Sequence, residues 1–280
     1  MSVHTFLHNW ILPPRVYRTI GQLFFEYQGV SKQERQILSK NAQFHNKYVD
    51  RRCFVIGNGK SLNEIDLSPL SKEITITMNQ FYRNPITSQW QPNFLCKLDS
   101  ANIYQSKGYL EELYLSYTNL SPKDGYFFHL STKSIMESFE RPQENVFYIK
   151  TSVDIKTLIS TSRDWDLTGT IPGGWSTSVL GMILGMYLGC KEIYLVGMDH
   201  DWLATTTFYS HNYTHTENED PSYLYSYTDF MKYTLKLFKG YSIIKQYAEQ
   251  RGIKILNATP GGFLDIFPRV DYKELMEEKQ

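Results

Sequence analysis

Residues 53–62 read Cys53-Phe54-Val55-Ile56-Gly57-Asn58-Gly59-Lys60-Ser61-Leu62. An apolar run without polar alternation predicts a strand buried on both faces, as in parallel sheets. Glycines at 57 and 59, directly after it, let backbone N–H groups approach a phosphate or a ribose, and Ser61 can cap a helix. In an open α/β sheet this is the carboxyl edge, where ligands bind.

Two familiar versions of such a turn do not fit. A dinucleotide fingerprint needs a third glycine where Leu62 stands, and an acid after the second strand, where Met78 is followed by Asn79. Lys60-Ser61 lacks the spacing of a P-loop. Asn58 and Asn79 instead offer uncharged amides at two strand ends, suited to a ribose or a base edge.

Composition narrows the function classes. The chain has 280 residues, enough for one large domain, and 29 Lys+Arg balance 29 Asp+Glu, so the basic excess of a nucleic-acid binder is missing. Aromatic residues make up 15%, with 21 Tyr, a composition that suits polar-ligand pockets as well as half-buried packing. Cys53, Cys96 and Cys190 are few, odd in number and far apart, which predicts reduced core thiols and a cytoplasmic protein rather than a disulfide or zinc scaffold. The apolar run Ser178–Leu188 is too short to span a bilayer.

The pattern predicts an N-terminal helical segment over 1–50, a Rossmann-like catalytic domain over 51–270 and a tail over 271–280. Val16, Ile20, Leu23, Phe24 and Tyr27 have helical spacing, and 31–46 reads as a second helix. These helices, with Phe6, Trp10 and Ile11, either pack on the main domain or make a peripheral contact with the inner membrane face or a second copy. From Arg52 the pattern is α/β: strands at 53–57, 74–78, 93–97, 126–129, 146–149, 192–196 and 253–256, and helices around 107–117, 175–188 and 223–250. The helix at 175–188 is apolar nearly all round and should be sandwiched against the sheet. A polar, aromatic stretch at about 200–240 breaks the rhythm and reads as a lid.

Further polar residues cluster at the predicted strand ends. Asp99 closes the third strand. Gly174, Ser176, Thr177 and Ser178 lead into the buried helix, where glycines and hydroxyls at an N-terminus suit an anion. Asp199-His200-Asp201 matches a D-x-D metal motif, with Asp199 as a hydrogen-bonding orienter in a metal-free site as the alternative. His211 and His215 in the lid are candidate general bases, and Asn257–Phe263 forms a glycine turn that could close the pocket.

This ordered set resembles the bacterial family-42 sialyltransferases. It also resembles the broader DUF115 group, which includes motility accessory factors and pterin pyrophosphokinase-like (MptE-like) proteins. The shared features are Gly-Asn-Gly-x-Ser-Leu, Met78-Asn79-Gln80-Phe81-Tyr82 and Gly-Cys-Lys-Glu-Ile-Tyr-Leu-x-Gly-x-Asp, over roughly residues 50–265. The resemblance implies a Rossmann-like, GT-A-variant, mostly parallel sheet that binds a CMP-activated nonulosonic acid without metal. It assigns the nucleotide to Gly57, Asn58, Gly59, Ser61 and Asn79, with Asp99 where the family tends to have Asn. Ser176, Thr177 and Ser178 match its donor-binding turn, and its Arg beside that turn is Gly174 or a neighbour here. His215 would be the base, His211 the second choice, and Tyr209 and Tyr213 would donate to the leaving phosphate. The expected partners are a nucleotide-sugar donor and a glycan or glycolipid acceptor, and no cofactor is required. The rivals are a metal-dependent UDP- or GDP-sugar transferase, an ATP-dependent pyrophosphokinase and a non-enzymatic binding module.

Overall fold

The structure, a computed structural model, describes residues 30–105, 107–152, 165–173, 176–204 and 227–277. Eight strands form one parallel sheet: β1 (Arg52–Ile56), β2 (Ile74–Met78), β3 (Phe94–Lys97), β4 (Gly125–His129), β5 (Val146–Ser152), β6 (Thr170–Pro172), β7 (Glu192–Val196) and β8 (Lys254–Asn257). Their order is β6-β5-β4-β3-β2-β1-β7-β8. The chain builds outward from β1 in one direction and then returns to add β7 and β8 on its other side. The carboxyl ends of β1 and β7 therefore form the point where an open sheet leaves a crevice for a ligand.

Six α-helices, with short 3-10 turns, complete the described part: α1 (Lys32–Leu38), α2 (Lys107–Thr118), α3 (Lys133–Glu137), α4 (Thr177–Tyr187), α5 (Tyr227–Glu249) and α6 (Tyr272–Glu277). The central strand has no solvent face. Cys53 and Val55 enter a core shared with α4 and α5, while Phe54 and Ile56 enter the opposite core beneath α2 and α6. No described helix is long and apolar enough to cross a membrane, and the three cysteines are buried and free.

The expected sandwiched helix is α4, and its glycines set how closely it lies on the sheet. A Cβ on Gly181 would come 2.6 Å from Val55 Cγ1, and one on Gly185 3.0 Å from the Cys53 sulfur. Residues 30–50 belong to the same body. Asn41 donates to the carbonyls of Tyr148 and Leu167, each at 2.7 Å. Phe44 packs edge-on against Phe94, Phe127 and Phe147.

Some elements differ from the sequence reading. Strand β6 was not anticipated, because three residues ending in Pro172 carry no periodicity, and a proline is tolerated there only because this strand is an edge. The helix read around 223–250 is observed as one continuous helix over 227–249, and it takes up the C-terminal part of the stretch also read as a lid. The stretch read as a tail contains α6, whose Tyr272 hydroxyl donates to the Asp66 carbonyl at 2.8 Å. The N-terminal helix read around Val16–Tyr27 lies outside the described residues.

These contacts make a paired prediction. Gly181→Val forces a branched side chain into Val55 and should lower unfolding free energy by about 3 kcal/mol. Gly108→Ala, where nothing lies within 4 Å, should be neutral or stabilising by up to about 1 kcal/mol. Denaturant melts of both variants measure this; equal effects would contradict the close packing of α4.

Candidate functional site

The loop after β1 is joined to the loop after β7 by close backbone contact. Gly57 N–H donates to the Val196 carbonyl at 2.8 Å, and Gly59 N–H to the Gly197 carbonyl at 2.9 Å. A Cβ on Gly57 would overlap the Gly197 carbonyl oxygen, and one on Gly59 would overlap the Asp199 carboxylate. The two glycines are thus required by the approach of these loops to each other. This is a structural reason for them, alongside any ligand.

Asp199 holds that junction. It is buried, and both carboxylate oxygens accept from one residue: Oδ2 from Ser61 N–H at 3.0 Å and Oδ1 from the Ser61 hydroxyl. Its backbone carbonyl accepts from Phe263 N–H at 2.7 Å, with Gly262 in the left-handed region at φ 71° directly against it. The Asn257–Phe263 turn thereby joins the same cluster. His200 does not stand beside Asp199 as a ligand. It is buried, and its Nε2 lies 2.9 Å from the Tyr241 hydroxyl. That hydroxyl in turn lies 2.5 Å from Ser178 Oγ. Among the described residues no cluster of three or more His, Cys, Asp or Glu could hold a metal ion. Each Asp199 oxygen thus accepts one hydrogen bond from Ser61.

The remaining predicted residues converge from neighbouring strands. Asn58 is buried, and its Nδ2 donates to the Met78 carbonyl at 3.0 Å, which fixes the amide's orientation. Its Oδ1 is buried without a partner among the described residues, and a buried acceptor left unpaired is costly. Asn79 follows β2 with φ 51°, a left-handed conformation that Asn tolerates. The Thr177 hydroxyl donates to Asn79 Oδ1 at 3.1 Å. Ser176 caps α4 by accepting from Ser178 N–H at 3.3 Å. The N-terminus of α4 is thereby tied to the end of β2. Asp99, after β3, accepts from the Tyr104 hydroxyl at 3.3 Å. Gly174, Tyr209, His211, Tyr213 and His215 lie outside the described residues.

Two titratable residues at this edge were not singled out from the sequence. His129 ends β4, with Nδ1 accepting from Ser131 N–H at 3.2 Å. Burial lowers its pKa, opposed by Asp99. Lys97 ends β3 and is 2% exposed. A lysine closing an otherwise apolar strand is the signal that could have found it. A cavity of about 490 Å³ lies elsewhere, at the amino end of the sheet between His45, Tyr187, Trp165 and Tyr247, remote from these loops.

No protein-family model and no curated protein matches the chain. Among solved structures it is similar to a MAf glycosyltransferase from Magnetospirillum magneticum AMB-1, at 14% identity and a TM-score of 0.50 over 88% of this chain. The match spans only 40% of that longer protein. The sialyltransferase CstII from Campylobacter jejuni, solved with the substrate analogue CMP-3FNeuAc, aligns at 14% identity and a TM-score of 0.45 over 79% of this chain and 86% of its own. The monofunctional α-2,3-sialyltransferase Cst-I from Campylobacter jejuni aligns at 14% identity and a TM-score of 0.43, over 79% and 80% respectively. The first of these likenesses establishes the α/β Rossmann-like fold. The DUF115 resemblance rests on the motifs alone.

Two predictions follow from the site's polar contacts. Asp199→Asn sets an amide N–H₂ against a Ser61 donor and should cost roughly 1–3 kcal/mol of stability; an unchanged melting curve would refute the junction. Burial pushes the His200 imidazole down to about 3. Since the unfolded state protonates near 6.5, it binds the extra proton as pH falls between these values. Stability is therefore full above about 6.5 and declines below it, by at most about 1.4 kcal/mol per pH unit from this group. Denaturant titrations from about pH 7 to 4 should give a shallower decline for His200→Gln than for the unsubstituted chain. Parallel curves would overturn the assignment.

Proposed function

We propose that the chain is a glycosyltransferase that moves a sugar from a nucleotide donor to a glycan or glycolipid acceptor. The favoured donor is a CMP-linked nonulosonic acid. The observation that carries the reading is the pair of amides at adjacent strand ends. Asn58 keeps a buried Oδ1 acceptor without a partner among the described residues, and Asn79 is held by Thr177 at the N-terminus of α4. A nucleoside hydroxyl or amine would satisfy the first, and the N-terminus of α4 suits the phosphate. The Rossmann-like fold shared with the MAf glycosyltransferase is consistent with this, and the family-42 motifs supply the donor class.

In the proposed reaction a lid histidine, His215 before His211, accepts the proton of the acceptor hydroxyl. The oxygen attacks the anomeric carbon from the face opposite the phosphate. The anomeric C–O bond to phosphate breaks, the electron pair leaves with CMP, and configuration inverts. Tyr209 and Tyr213 donate to the leaving phosphate. The alternative is a metal-dependent mechanism through Asp199 and Asp201; in the favoured reading Asp199 orients the loop after β1 by accepting from Ser61. N-terminal contact with a membrane surface or a second copy belongs to the same proposal, through Phe6, Trp10 and Ile11.

His215→Ala should lower transfer by about 10²–10⁴-fold while nucleotide affinity persists, measured by product formation and by calorimetry. Undiminished turnover would exclude His215 as the base, and activity abolished by EDTA would favour the metal route.

A further inference from the structure

Lys97 stands where the strand pattern calls for an apolar side chain. Phe94 and Cys96 of β3 face the core shared with α4 and α5, and Leu95 faces the opposite core. Lys97 continues the Leu95 side at the strand's last residue. At 2% exposure it is among the largest fully buried side chains. Several half-buried cations of the fold have carboxylate partners: Arg83 with Glu112, Arg52 with Glu73, Lys150 with Glu34 and Lys47 with Asp124. Lys97 makes no hydrogen bond or ion pair with any described residue. Asp99 and Arg83 act on it only through space, the first favouring its charge and the second opposing it.

A buried lysine with no ion-pair partner among the described residues is disfavoured unless an anion completes its site. The position of Lys97 says where that anion would be. Asn79 N–H donates to the Cys96 carbonyl at 3.0 Å, so Lys97 lies level with Asn79 along the carboxyl edge. His129 ends the strand on the other side. The lysine therefore sits on the edge that carries the two asparagines, without an ion-pair partner among the described residues. Burial lowers its proton affinity, and an arriving anion would restore it.

We propose that Lys97 is an anion-recognition residue of the donor pocket, its ammonium binding a phosphate or carboxylate oxygen of the nucleotide sugar. This rests on the glycosyltransferase reading for the identity of the ligand, but not for the existence of an anion site. It makes Lys97 a determinant of donor specificity beyond the residues named from sequence motifs.

Calorimetry on the full chain and on Lys97→Met and Lys97→Gln tests it, with cytidine, CMP, CMP-N-acetylneuraminate, UDP and pyrophosphate as probes. The expected result is a loss of roughly tenfold or more in affinity for at least one anionic probe, with cytidine affinity unchanged and a melting temperature at or above that of the unsubstituted chain. Equal losses for CMP and CMP-N-acetylneuraminate identify the phosphate, and a loss confined to the latter identifies the carboxylate. Anion affinities unchanged in both variants would overturn the proposal, as would a parallel loss of cytidine binding or failure of both to fold. Lys97-dependent binding of pyrophosphate alone would uphold the anion site and refute the glycosyltransferase reading. Nucleotide binding indifferent to Lys97 would do the reverse, and no binding of any probe would reject both.

Discussion

The Asp199 carboxylate against Ser61 and Gly59 is the contact on which the site depends. It joins the loop after β1 to the loop after β7 at the point where the strand order reverses. Because glycine alone fits beside that carboxylate, Gly59 answers to Asp199 before it answers to any ligand. The Asp199 carbonyl then draws in Phe263 from the turn after β8. One residue thus ties three loops together, and charge-assisted hydrogen bonds in a buried setting make it a rigid anchor.

A second polar chain runs beneath the N-terminus of α4. His200, Tyr241 and Ser178 link the β7 loop, α5 and α4 in sequence. Each member is buried, so the imidazole stays neutral and the Tyr241 phenol is pushed upward by burial. Such a network holds the helix start where Thr177 can reach Asn79. Among the described residues the arrangement leaves Asn58 with an unpaired acceptor and Lys97 without an ion-pair partner on the same edge. Other buried atoms, such as Asn41 Oδ1 and Trp90 Nε1, also lack partners among these residues, but those of Asn58 and Lys97 lie at the ligand crevice, where a substrate can contribute.

Much of the fold was legible in the sequence because buried parallel strands are continuous apolar runs. The segments around Phe54, Ile76 and Leu195 announce themselves in this way, as does the apolar helix α4. Strand β6 was not legible, since Thr170–Pro172 is too short to show a period. The Gly57-Asn58-Gly59 turn could be recognised as a ligand-edge turn, but not the reason for its glycines, which is a neighbour about 140 residues away in the chain. The D-x-D pattern around Asp199 illustrates the same limit, because short motifs do not reveal which oxygens are already engaged.

Sequence by itself determined the α/β class, the strand ends that meet at one edge and the uncharged character of Asn58 and Asn79. These follow from local periodicity and residue chemistry, which need no knowledge of distant partners. Tertiary structure alone decided that Asp199 binds Ser61, that His200 turns inward to Tyr241, and that Lys97 is buried with no counter-ion among the described residues. Those outcomes depend on burial and on hydrogen bonds between residues far apart in the chain, and only the packed sheet brings them together.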